Sequence, residues 1–129
     1  TRSPICDPLA RYNNALAKGD QDMADRHHVY FKPFSDIEEG NPQMILERTE
    51  PVELPPLLVM QGGLDDNVLP AFQVKFGETY RAAGGECEVA VFPGCGHMWV
   101  LEPGPETDRA HEMVKAFIAH QLHALEQAA

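Results

Sequence analysis

The sequence has no apolar run approaching the roughly 18 residues of a membrane-spanning helix, and no signal-peptide pattern at its start. Basic side chains are scarce: 10 Lys and Arg stand against 20 Asp and Glu, a formal charge of −10. Nucleic acid and anionic membranes both require a basic footprint, so neither is expected as a partner. Cysteine is limited to Cys6, Cys87 and Cys95, an odd count without CxxC spacing. That reads as reduced thiols rather than a disulfide framework and leans towards a cytoplasmic protein. Metal-ligand spacing is lacking too. His27 and His28 are adjacent and point apart, and no carboxylate completes a set with His111, His120 and His123. No metal and no cofactor is expected. Internal repeats and low-complexity tracts are missing, and so is an initial Met. A chain that opens at Thr1 and runs straight into ordered-looking sequence is expected to be a processed, truncated or excerpted product with more sequence upstream.

What is present suits one globular domain or less: 129 residues, 43% of them hydrophobic. Residues 1–8 read as the end of a strand turning into a loop, with two prolines restricting any helix. Residues 9–56 read as a cap or lid of short helices. Gly19 stops a helix over Ala10–Lys18, Ser35 and Glu38 have capping-box spacing, and Asn41-Pro42, Pro51, Pro55 and Pro56 punctuate the rest. Residues 57–129 are regular. Leu57–Met60 is a continuous apolar run, as in a strand covered on both faces. Phe72, Phe76, Tyr80 and Ala83 recur at helical spacing before Gly84-Gly85, and Cys87–Phe92 is a second strand. Gly104-Pro105-Glu106 opens a last helix, on which Ala110, Met113, Val114, Phe117, Ile118, Leu122 and Leu125 form a stripe of about five turns. Strand, helix, strand, helix implies a parallel crossover with helices on the sheet. So few parallel strands need neighbours, and alone they leave an edge strand and an apolar helix face exposed.

Both strands empty into loops that carry chemistry. The first leads into Gln61-Gly62-Gly63-Leu64-Asp65-Asp66-Asn67-Val68, the second into Pro93-Gly94-Cys95-Gly96-His97-Met98-Trp99. An Asp and a His thus arrive at the carboxyl ends of adjacent strands, the edge where ligands bind in open α/β sheets. Such an acid and base are two members of a nucleophile–His–acid triad.

The order strand, Gly-x-x-Asp-x-x-Val, helix, strand, Gly-His is similar to the C-terminal part of α/β-hydrolase serine esterases and prolyl-oligopeptidase-like hydrolases. The stretches Asp7–Tyr12, Tyr30-Phe31, Asn41-Pro42 and Leu54-Pro55-Pro56 resemble that family's segment between its sixth and seventh strands, so the likeness spans nearly the whole chain. It implies an α/β fold: the C-terminal portion of an α/β-hydrolase sheet plus a short helical cap. It also implies Asp65 as triad acid and His97 as general base. His97 would take the proton of a serine hydroxyl and return it to the leaving group, while Asp65 fixes the imidazole tautomer. Asp65 fits better than Asp66, standing three residues after Gly62 and three before Val68; Asp66 reads as the cap of the following helix.

The family's nucleophile, in Gly-x-Ser-x-Gly, is missing: the only serines, Ser3 and Ser35, lack the flanking glycines. Cys95, two residues from His97 on one tight loop, is poorly placed to replace it. Met98 and Trp99 either line a substrate pocket or pack beneath the loop. Tyr30, Phe31 and Phe34 either form a cap wall or join the core. The expected activity is serine-type acyl transfer on a small carboxylic ester by the complete protein, with this chain supplying acid and base and inactive alone. The alternative is a non-catalytic α/β module that associates with itself, or with a complementary N-terminal half, through its open sheet edge.

Overall fold

Leu57, Leu58, Val59 and Met60 send alternate side chains to opposite sides of an extended backbone, and the surroundings cover both sides. In the computed structural model, which describes residues 1–129, strand β1 (Leu57–Gly62) is buried at every position after the first. On one face Val59 packs with Cys6, Leu46, Phe76, Tyr80 and Cys87. On the other, Leu58 and Met60 pack with Phe92, Cys95, Trp99 and Ala110. Complete burial of one such side chain contributes about 1.5–3 kcal/mol, so β1 is the common wall of two small cores. Strand β2 (Cys87–Phe92) pairs with β1 in parallel, Leu57 opposite Cys87 and Gly62 opposite Phe92. Beyond β1 lies a short parallel bridge at Arg2, closed by Ser3 N–H to Met60 O and Met60 N–H to Thr1 O, both 2.9 Å. The other edge of β2 is unpaired, so its middle residues are only half-buried.

Four helices precede β1. Helix α1 (Pro8–Lys18) starts two residues earlier than the sequence pattern indicates. Pro8 opens it instead of blocking it, because a first-turn residue needs no N–H, and Asp7 accepts from Ala10 N–H at 3.0 Å. Gly19 ends it in a left-handed conformation. Helix α2 (Gln21–Tyr30) is capped by Asp20, and helix α4 (Pro42–Glu47) by Asn41, whose amide also donates to Asp7. Helix α3 (Asp36–Glu39) departs from expectation: Ser35 occupies the N-cap, but its hydroxyl makes no cap bond and no capping box forms.

After β1, helix α5 (Pro70–Ala82) buries Phe76 and Tyr80. It also buries Gln73 and Gly77, and leaves Ala83 exposed past its end. Helix α6 (Pro105–Ala128) buries only Thr107 and Ala110 fully, while Met113, Val114 and Phe117 flank the core. Ile118, Leu122 and Leu125 remain 52%, 56% and 68% exposed, because the sheet beneath is too narrow to reach them. No helix is long and apolar enough to cross a membrane.

Candidate active site

The β1–β2 register brings Gly62 and Phe92 level, so the loops that follow leave the sheet side by side. Backbone bonds then join them: Gly63 N–H to Phe92 O at 2.8 Å and Leu64 N–H to Cys95 O at 2.9 Å. This closeness requires glycine. A Cβ on Gly62 would stand 2.5 Å from the carbonyl oxygens of both Cys95 and Gly96, and one on Gly63 would stand 2.7 Å from Pro93 Cα. The first loop turns so that Asp65 Oδ1 accepts the N–H groups of Asn67 and Val68, both at 2.9 Å. Its other oxygen, Oδ2, accepts from His97 Nδ1 at 2.8 Å.

The Asp65 side chain is wholly buried and that of His97 is 30% exposed. Burial pushes the carboxyl pKa of Asp65 up, but the Val68 N–H, the His97 imidazole and the Asn67 N–H together outweigh it and hold it below its ordinary value. Because Nδ1 faces a carboxylate, it carries the proton. Neutral His97 then has its lone pair on Nε2, which has no hydrogen-bond partner in the protein.

One neighbouring residue and two distant ones brace this pair. Gln61 Nε2 donates to the carbonyls of Gly62 and Val68, closing the acid loop across its base. Arg11, on α1, donates through Nε to Asn67 O at 3.2 Å and through Nη2 to Asn67 Oδ1 at 2.6 Å. Arg2 donates to the carbonyl of His97. Sequence reasoning passes over all three. The traces are Gln61, a polar residue at the end of an apolar strand, and Arg11, which lies in the Asp7–Tyr12 stretch.

The sequence as a whole points the same way as the loops. The model of the prolyl oligopeptidase family matches residues 4–124. The chain belongs to the prolyl oligopeptidase family. That membership places it among the serine hydrolases of the α/β type, the class implied by the Gly-x-x-Asp-x-x-Val and Gly-His loops. No curated protein and no solved structure matches the chain.

Other residues of interest take varied positions. Asp66 is exposed and caps nothing: α5 has Leu69 at its N-cap and no side-chain cap bond. Trp99 turns inward, 8% exposed, with its ring 4.4 Å from that of Phe92. Of the Met98–Trp99 pair, then, only Met98 offers an accessible surface, 52% exposed. Cys95 is buried and makes no bond to His97; burial raises its thiol pKa, with a smaller push from Glu106, so the nucleophilic thiolate is disfavoured. Ser3 is also buried, at φ 40°, and its Oγ has no partner. Phe34 packs on Tyr12 and His28, whereas Tyr30 is 82% exposed. No three His, Cys, Asp or Glu side chains converge as a metal site would require.

Proposed function

We propose that Asp65 and His97 are the acid and base of a serine-hydrolase triad that cleaves a small carboxylic ester. The reading is supported above all by one arrangement. His97 bonds Asp65 Oδ2 through Nδ1 at 2.8 Å and keeps Nε2 free on a partly exposed ring. From there Nε2 removes the proton of an attacking serine hydroxyl and delivers it to the departing alkoxide. Asp65 stabilises the imidazolium formed in between. It cannot turn away, because two backbone N–H groups hold its other oxygen. Neither Ser3 nor Ser35 bonds His97, so on this reading the complete protein supplies the serine and the oxyanion donors from elsewhere.

Family membership supports an amide bond of a small peptide as readily as an ester, so the test uses both. The intact protein is assayed with a p-nitrophenyl acyl ester and with a peptide p-nitroanilide. Higher kcat/KM for the ester is expected. Asp65→Asn should lower kcat by about 10⁴-fold, as a wrong imidazole tautomer does elsewhere. Turnover that persists in His97→Ala removes the assignment.

A second reading, a non-catalytic self-associating module, is supported by the uncovered Ile118, Leu122 and Leu125 face of α6 and the unpaired edge of β2. Sedimentation of the 129-residue chain at micromolar concentration decides it: a monomer alone refutes association.

A further inference from the structure

A cavity of about 280 Å³ opens between α1, α2 and the turn at Gly40, away from the Asp65–His97 pair. Its wall includes Ile5, Arg11, Arg26, His27, Tyr30 and Phe31. His27 is 4% exposed, and its Nδ1 donates to Met23 O at 2.8 Å. Its Nε2 is equally buried and has no hydrogen-bond partner. Buried polar atoms are nearly always paired, so this one asks for a ligand group. With the proton on Nδ1, Nε2 accepts from an O–H or N–H.

Two guanidinium groups share the same wall. Arg11 uses Nε and Nη2 on Asn67 and leaves Nη1 without a protein acceptor. Arg26 is held through one Nη by Asp22, with both side chains mostly exposed. Burial lowers the proton affinity of Arg11, the charges of Asp65 and Asp20 oppose that, and the neighbouring charge of Arg26 adds to it. Two adjacent cations are relieved by an anion, and guanidinium groups bind carboxylates through paired N–H donors. In a molecule of formal charge −10 the general field repels anions, so any attraction here is local. The remaining wall is apolar: Tyr30 stands edge-on to Phe31 with ring centroids 4.9 Å apart, beside the half-exposed Ile5.

We propose that this cavity binds a small organic carboxylate with an aromatic or branched apolar body and a hydroxyl or amide N–H beside the carboxylate. The carboxylate meets Arg11 and Arg26, the hydroxyl or N–H donates to His27 Nε2, and the apolar body lies against Tyr30 and Phe31. The site meets the Asp65–His97 pair only through Arg11, which also holds Asn67, and its test reads ligand binding rather than turnover, so its outcome is separate from whether that pair is catalytic.

Titration calorimetry of the intact protein with mandelate tests it, with mandelamide and phenylacetate as comparisons. Mandelate should bind saturably, mandelamide about tenfold more weakly for loss of the charge, and phenylacetate several-fold more weakly for loss of the hydroxyl. Arg26→Gln should weaken mandelate about tenfold. Asp22→Asn, which frees the Arg26 guanidinium, should tighten it. Both positions are exposed, so neither variant threatens the fold. Equal affinity for mandelate and mandelamide, no saturable binding at millimolar mandelate, or affinity unmoved by both variants overturns the proposal.

Discussion

Gly62 and Asp65 show how much of the site rests on single residues. An alanine at position 62 puts its methyl 2.5 Å from two carbonyl oxygens of the His97 loop. Neither is the far end of a flexible side chain, so the two loops must part. Gly62→Ala is expected to cost about 1–3 kcal/mol of stability, read as a lower urea midpoint, and to lengthen the Asp65–His97 bond. Asp65 adds a pH signature. Its folded pKa lies below the ordinary 3.8, so the unfolded chain binds the proton more tightly. The stability it contributes is complete above pH 3.8 and is lost as pH falls through the folded value. Urea unfolding of the wild type and of Asp65→Asn checks this. The wild type should lose stability more steeply than the variant below about pH 4, and parallel curves would refute it.

At the scale of elements, α6 and β1 contrast. The sequence pattern gives α6 one apolar stripe from Ala110 to Leu125, but only its first half meets the sheet. Ala110, 1% exposed, is locked against Leu58, Met60 and Phe92, whereas Leu122 faces outward. Ala110→Leu is expected to destabilise by about 1–3 kcal/mol through overpacking. Leu122→Gln should change stability by less than about 0.5 kcal/mol, as exposed substitutions do. Denaturant titration of both variants checks the contrast, and similar losses in the two would show that the outer half of α6 is covered after all. Strand β1 is legible from its composition, since four consecutive apolar residues suit two buried faces. Which face packs on α5 and which on α6 is not, because period-two alternation says only that the two faces differ.

Charge acts at the scale of the whole molecule. The ion pairs among Arg26–Asp22, Lys115–Glu112 and Arg109–Glu106 join helix neighbours that are mostly exposed, and such pairs contribute little. The formal charge of −10 therefore acts mainly as self-repulsion, which salt screens over about 8 Å at physiological strength. Raising NaCl from about 10 to about 150 mM should raise Tm, and a flat or falling Tm would show that local pairs outweigh the net charge.

The sequence by itself determined the strand–helix–strand–helix rhythm, the helix stops and the two loops that carry Asp65 and His97. Each of these signals lies between residues only a few positions apart: apolar periodicity, proline at a first turn, glycine after a last one. Only the tertiary structure decided that Trp99 turns inward, that Asp66 stays in solvent and that Ser35 leaves its helix uncapped. It alone brings Arg11 to Asn67 across 56 positions and Arg2 to His97 across 95, and it alone assembles the cavity around His27. A hydrogen bond between such distant residues depends on where separate elements dock, and that is set by the packing on both faces of β1 rather than by any pattern among neighbours.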